Sequence, residues 1–259
     1  MIIGVDPLYS LAGFVVGVLV GLTGVGGGSM MTPALVLLFG IDPAIAVGTD
    51  LLYASITKGA GTVVHGLNHT VDWRMASRLA LGSVPATALT LAALQIFSPK
   101  SHSSPLISVV LGVALILTAI SLLLRKQVLR FAARKTATFT PRRTFWLTVA
   151  TGVVLGFLVS LSSVGAGAIG ITALIILYPE IPTARIVGSD IAHSVPLTLL
   201  AGCGHWIMGT VDGGMLGFLV LGSLPGIVLG SQLSARVPDA VLRVMLAVTL
   251  LLVGGRLVL

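Results

Sequence analysis

The chain has 259 residues, 56% of them hydrophobic and 9% charged, with a net charge of +7, against roughly a quarter charged in soluble domains. So few charges cannot supply the polar shell that a soluble domain of this size needs. A soluble enzyme or globular binding module is excluded, and the apolar side chains must face lipid.

Spanning strands would alternate polar and apolar residues with a period of two, and no such alternation is present. Helices are then the structure that satisfies its own backbone in lipid. The fold class is all-α, a polytopic helical membrane protein. The start Met1-Ile2-Ile3-Gly4-Val5-Asp6 lacks the basic opening of a cleavable leader, so the first helix is expected to stay in the mature protein.

In chain order, apolar segments are predicted near 7–23, 29–40, 44–66, 75–97 and 105–124, then 144–162, 167–178, 184–207, 214–234 and 239–257. The second of each set is shorter than the roughly 20 residues a full span requires. Each is expected to be re-entrant or broken, stopping near the middle of the membrane.

The two sets are copies of one pattern. Val47-Gly48-Thr49-Asp50 recurs as Val187-Gly188-Ser189-Asp190, a shift of 140. The same shift lays His65 on His205, Thr70-Val71-Asp72 on Thr210-Val211-Asp212, and Leu81-Gly82-Ser83-Val84-Pro85 on Leu221-Gly222-Ser223-Leu224-Pro225. Upstream, with the register slipped by one, Thr23-Gly24-Val25-Gly26-Gly27-Gly28 lies over Ser162-Ser163-Val164-Gly165-Ala166-Gly167. A duplication is the reading, with repeats at 1–124 and 144–259.

Between them, 125–143 carries Arg125, Lys126, Arg130, Arg134, Lys135, Arg142 and Arg143 and no acid. It is expected to be a solvated basic cytoplasmic loop that orients the protein and not a nucleic-acid site. Five segments per repeat would invert the second repeat. Arg74, Arg78 and Arg185 then fall inside while their equivalents Gly214, Phe218 and Ile45 fall outside, as inversion requires; Lys100 and Arg256 fall outside and count against it. An eight-span parallel arrangement is the alternative.

Inverted-repeat transporters hold their solute where broken helices meet. Gly26, Gly27, Gly28 and Ser29 precede one short segment, and Ser162, Ser163, Gly165 and Gly167 the other. Residues without bulky side chains let backbone N–H groups converge at a helix start, where the dipole favours an anion; the plainer role of such glycines is close helix packing. Thr32 and the serines add hydroxyls, whose plainer role is capping. Lys58, deep in the third segment, is expected to touch an anionic solute or to pair with Asp50 two turns away.

Asp50 and Asp190 look like caps opening long helices, with coupling as the other role. His65, His193 and His205 are candidates for carrying a coupling proton or for plain interface contacts. Cys203 is the single cysteine and no His-Glu-x-x-His occurs, so neither a metal nor another cofactor is expected. The expected partners are a small anionic solute and the lipid bilayer, with no nucleic acid; a homodimer is left open. Two other classes fit parts of the pattern: an intramembrane enzyme using Asp50 and Asp190 as a carboxylate pair, and a passive channel, for which no charged ring or carbonyl filter is present.

The run Gly21-Leu22-Thr23-Gly24-Val25-Gly26-Gly27-Gly28-Ser29, the following Pro33, the paired motifs ending in Asp50 and Asp190 and the twin Gly-Ser-x-Pro motifs ending in Pro85 and Pro225 resemble the sulfite exporter TauE/SafE family of membrane permeases. The resemblance implies a secondary transporter of sulfite, sulfonates or related organic anions in a prokaryotic inner membrane. It implies no ATP-driven partner. Ser163 and Ala166 stand where the first repeat has Gly24 and Gly27, so the two loops need not bind a solute equally. With the residues above, the expectation is a carrier working by alternating access and driven by protons.

Overall fold

The computed structural model describes residues 7–23, 28–97, 105–134, 140–233 and 239–258. Among these it is all helix, ten in number: α1 (Pro7–Thr23), α2 (Gly28–Leu38), α3 (Pro43–Leu67), α4 (Trp73–Phe97), α5 (Pro105–Arg134), α6 (Pro141–Ser162), α7 (Ala168–Leu177), α8 (Thr183–Ile207), α9 (Gly213–Leu233) and α10 (Asp239–Val258). Helix starts follow local chemistry. Asp42 and Pro43 open α3 as cap and first residue, with Asp42 Oδ1 accepting from the Ala44 N–H at 2.9 Å.

Four of the described helices, α4, α6, α8 and α9, are long and apolar enough to cross a membrane. With 11 and 10 residues, α2 and α7 reach only about 15 Å, half the hydrocarbon thickness. The expected basic loop is shortened: α5 continues through the cluster to Arg134 before α6 begins at Pro141. Arginine and lysine are good helix formers, so an apolar segment need not end its helix where its charges begin.

Neighbours recur under a shift of five elements. α1 packs on α9 as α6 packs on α4; α2 lies on α3 as α7 lies on α8; α3 meets α8, and α5 meets α10. Each half thus completes the other. Glycine allows the closest approaches: a Cβ at Gly82 would strike the Val149 carbonyl, and one at the equivalent Gly222 the Ser10 carbonyl. Side chains such as Leu89, Leu221 and Leu252 stay exposed on the periphery, the composition of a lipid-facing surface. The pair α3 and α8 sits inside.

Hydrogen bonds cross between the halves at matching places. The Asp72 N–H donates to Ser189 Oγ at 2.7 Å, and the Asp212 N–H to Thr49 Oγ1 at 3.1 Å. Each joins the start of an outer helix, α4 or α9, to the opposite half's inner helix.

Candidate functional site

The caps expected at Asp50 and Asp190 are not there. Helix α3 starts at Pro43 and α8 at Thr183, so each aspartate lies about 10 Å along its helix and is buried, with 0% and 1% exposure. Pro43 and Pro182 take the terminal positions because a proline has no N–H to lose there.

Asp50 instead turns to the short helix α2. Its Oδ2 accepts from the Thr32 N–H at 3.1 Å and from Thr32 Oγ1 at 2.5 Å, which places a carboxylate beside the first turns of a half-helix, where the dipole favours negative charge. Ser163, in the turn between α6 and α7, lies beside the same carboxylate. Asp190 repeats the arrangement on α7: it faces the Gly167 backbone N–H, and a Cβ on Gly170 would strike its Oδ1. That turn contains Ser163, Gly165 and Gly167 at φ values of 56°, 117° and 112°, which the two glycines adopt without penalty. The Thr32 hydroxyl and the Gly167 N–H, both expected to serve a solute, therefore face the protein's own carboxylates.

Lys58 lies on α3 between these groups, 5% exposed and within electrostatic reach of Asp190, Asp50 and His193. The expected pairing with Asp50 is absent. Among the described residues the ion pair within 4.0 Å is Arg185 with Asp72, and no hydrogen bond engages the Lys58 ammonium. A buried cation without a direct partner is expensive in any low-dielectric setting. The groups it reaches are short of partners as well: Asp190 Oδ1 and His193 Nδ1 are buried without a hydrogen bond, and Asp50 Oδ1 and Ser163 Oγ, though side by side, fall outside hydrogen-bond geometry.

The remaining residues divide clearly. His65 and His205 hold the ends of α3 and α8, each ring Nδ1 bonding the threonine five residues on, at 2.8 Å to Thr70 and 2.9 Å to Thr210. His205 Nε2 also bonds the Ser160 carbonyl. Ser162 caps its own helix end, its hydroxyl donating to the Leu158 carbonyl at 2.7 Å. Gly26 and Gly27 lie outside the described residues, as does the side chain of Ser29; Gly28 is the first residue of α2. A cavity of about 310 Å³ opens elsewhere, lined by Arg78, Thr144, Tyr178 and Glu180 among others.

Two contacts escaped the sequence reading. His193 Nε2 meets Ser83 Oγ at 2.8 Å, and at the equivalent place the Tyr53 hydroxyl lies beside Ser223. The doubled Gly-Ser-x-Pro motif marked both serines, but their partners need the tertiary fold. The carboxylate pair of an enzyme is not formed, since no hydrogen bond joins Asp50 to Asp190 and the Oδ1 of each is unpartnered.

Residues 9–257 match the family described as "Sulfite exporter TauE/SafE". The chain is similar to "Probable membrane transporter protein YjnA" of Bacillus subtilis (strain 168), with 40% identity over 96% of this chain and 98% of that protein. It is similar to "Probable membrane transporter protein YunE" of the same organism, at 25% over 95% and 94%. It is also similar to "Probable membrane transporter protein MJ0441" of Methanocaldococcus jannaschii, at 25% over 80% and 74%. No solved structure matches. A multi-pass helical chain whose relatives are named as membrane transporters, matched from end to end by one family, is a membrane transporter and not an enzyme: it belongs to the sulfite exporter TauE/SafE family.

Proposed function

We propose that the protein is a secondary carrier of a small sulfur-containing anion, sulfite or an organic sulfonate, in the inner (plasma) membrane of a prokaryote. The observation that carries this reading is the buried Lys58, which among the described residues makes no ion pair within 4.0 Å, set near unpartnered polar atoms of α3 and α8. With the neighbouring Asp50 and Asp190 protonated, an anion entering there would supply the missing partner. The helix starts would then act indirectly, holding Asp50 and Asp190 in place so that Lys58 is left for the solute.

The same architecture supports alternating access as the mechanism. The inner pair α3 and α8 bears the polar cluster, and the outer helices α4 and α9 reach it from opposite halves. In the inverted-repeat arrangement, rocking one half against the other would expose Lys58 first to one side and then to the other. Protons are the proposed driving ion, with Asp50 and Asp190 as the carboxylates at the right depth. A passive channel would give flux that does not saturate.

The test is uptake of sulfite, taurine and sulfoacetate into proteoliposomes with and without an imposed pH gradient. Saturable uptake of one of them, stimulated by the gradient and lost in Lys58→Gln, is expected. Undiminished uptake by folded Lys58→Gln protein would remove Lys58 from the site and the proposal with it.

A further inference from the structure

His193 is 1% exposed and one turn beyond Asp190 on α8. Its ring makes one hydrogen bond, Nε2 with Ser83 Oγ on α4, while Nδ1 is buried without a partner. Counting protons decides which nitrogen carries the hydrogen. Ser83 is fully buried and has no other hydrogen-bond partner among the described residues, unlike Ser160 and Ser194, whose hydroxyls donate to the carbonyl four residues back. If His193 donated from Nε2, the Ser83 hydroxyl proton would have no acceptor and the Nδ1 lone pair no donor, leaving two buried groups unmet. If Ser83 donates to Nε2, only the Nδ1–H is unmet. Each buried unmet group is costly, so the second arrangement wins.

The ring, which lies within electrostatic reach of Lys58, then carries a buried N–H that nothing accepts among the described residues. Two donors on facing helices, both without an acceptor among the described residues, fit one ligand with at least two acceptor oxygens. We infer that His193, kept in its Nδ1–H form by Ser83, donates a hydrogen bond to an oxyanion held by Lys58, and so selects solutes whose charge is spread over several oxygens. The inference rests on the anion-carrier reading and gives His193 a role other than proton carriage. Ser83 is a positioning residue, acting through the ring.

The geometry of the amide variants makes the test specific. Glutamine at 193 can reach Ser83 but offers nothing at the Nδ1 position; asparagine places its amide N–H near Nδ1 and gives up Ser83. In full-length protein in liposomes, His193→Gln is expected to raise the sulfite KM about 10- to 100-fold, the loss of one hydrogen bond to a charged partner. His193→Asn is expected to recover part of that loss, and maximal rates should change less than KM. Nitrogen NMR on 15N-histidine protein, with the signal assigned by its loss in His193→Gln, reads the tautomer directly. The hydrogen is expected on Nδ1, shared between both nitrogens in Ser83→Ala, and the Nδ1 signal should move when sulfite is added.

A hydrogen found on Nε2, or an Nδ1 signal unmoved by saturating sulfite, overturns the inference whatever the flux. Equal KM increases in His193→Gln and His193→Asn would also overturn it, since a purely structural ring predicts that result. Absence of sulfite, taurine or sulfoacetate flux in the wild-type protein would instead sink the carrier reading, while the NMR result still judges His193.

Discussion

Arg185 Nη2 lies 3.7 Å from Asp72 Oδ2, an ion pair joining the start of α8 to the start of α4 across the two halves. The equivalent residues are Ile45 and Asp212, so this bridge has no counterpart of the same kind in the other half. The two side chains are 52% and 22% exposed, and such pairs contribute about 0–1 kcal/mol. Asp72 does more locally, since its Oδ1 accepts from the Arg74 and Met75 N–H groups and caps α4.

The two contributions can be separated by mutation. Arg185→Ile is expected to change stability by at most about 1 kcal/mol, and Asp72→Ala to lower it by about 0.5–2 kcal/mol through the lost cap. Thermal unfolding in detergent measures both. Equal losses for the two variants would show that the bridge, and not the cap, holds this end together, because Asp72→Ala removes both.

The turns after α3 and α8 provide a second test of equivalence. Both close with the same bonds, Thr70 N–H to the His65 carbonyl and Thr210 N–H to the His205 carbonyl, at 3.0 Å each. The residue before the threonine is left-handed in both: His69 at φ 54° and Gly209 at φ 76°. A non-glycine residue in that region costs about 1 kcal/mol. His69→Gly is therefore expected to raise the unfolding midpoint and Gly209→His to lower it. Shifts of the same sign would mean that the two turns are not interchangeable.

Much of this was legible because prolines, glycines and the 140-residue shift punctuate the chain. Pro7, Pro43, Pro105, Pro141 and Gly213 each open a helix where the sequence placed a segment start to within a few residues. The aspartates were misplaced because Gly-Thr-Asp before an apolar run looks like a cap, although Asp42-Pro43 already supplied one. The end of α5 was missed because charge ends an apolar run and not a helix. The pairing of Ser83 with His193, 110 residues apart, has no local signal: it depends on α4 and α8 packing together.

Close packing predicts paired responses in the two halves. Alanine at Gly82 or at Gly222 would drive a methyl group into the opposing backbone carbonyl, of Val149 or of Ser10. Each substitution is expected to cost about 1–3 kcal/mol, the range for overpacking. Gly217 is the control, because a Cβ there meets nothing within 4 Å and alanine favours a helix by up to about 1 kcal/mol. Unfolding of Gly82→Ala, Gly222→Ala and Gly217→Ala in one detergent compares them. Tolerance of alanine at Gly82 would mean that α4 and α6 are farther apart than described.

The two aspartates should answer differently to changes in the short helices that face them. Asp50 is tied to α2 by both donors of Thr32, whereas the position equivalent to Thr32 on α7 is Ile171 and offers no hydroxyl. Thr32→Val removes one hydrogen bond to a buried carboxylate and is expected to lower stability by about 1.5–3 kcal/mol. Gly170→Ala removes no bond but takes the space of Asp190 Oδ1, so Asp190 must turn its carboxylate away and change its place relative to Lys58. That change is expected to depress sulfite flux by an order of magnitude or more while the protein still inserts and unfolds cooperatively, because about 1.4 kcal/mol of displaced charge at the site is a tenfold effect. Unfolding and flux measured on the same two preparations decide the matter: if Gly170→Ala carries sulfite normally, the position of Asp190 is irrelevant to the solute, and Asp50, Lys58 and His193 remain at the site.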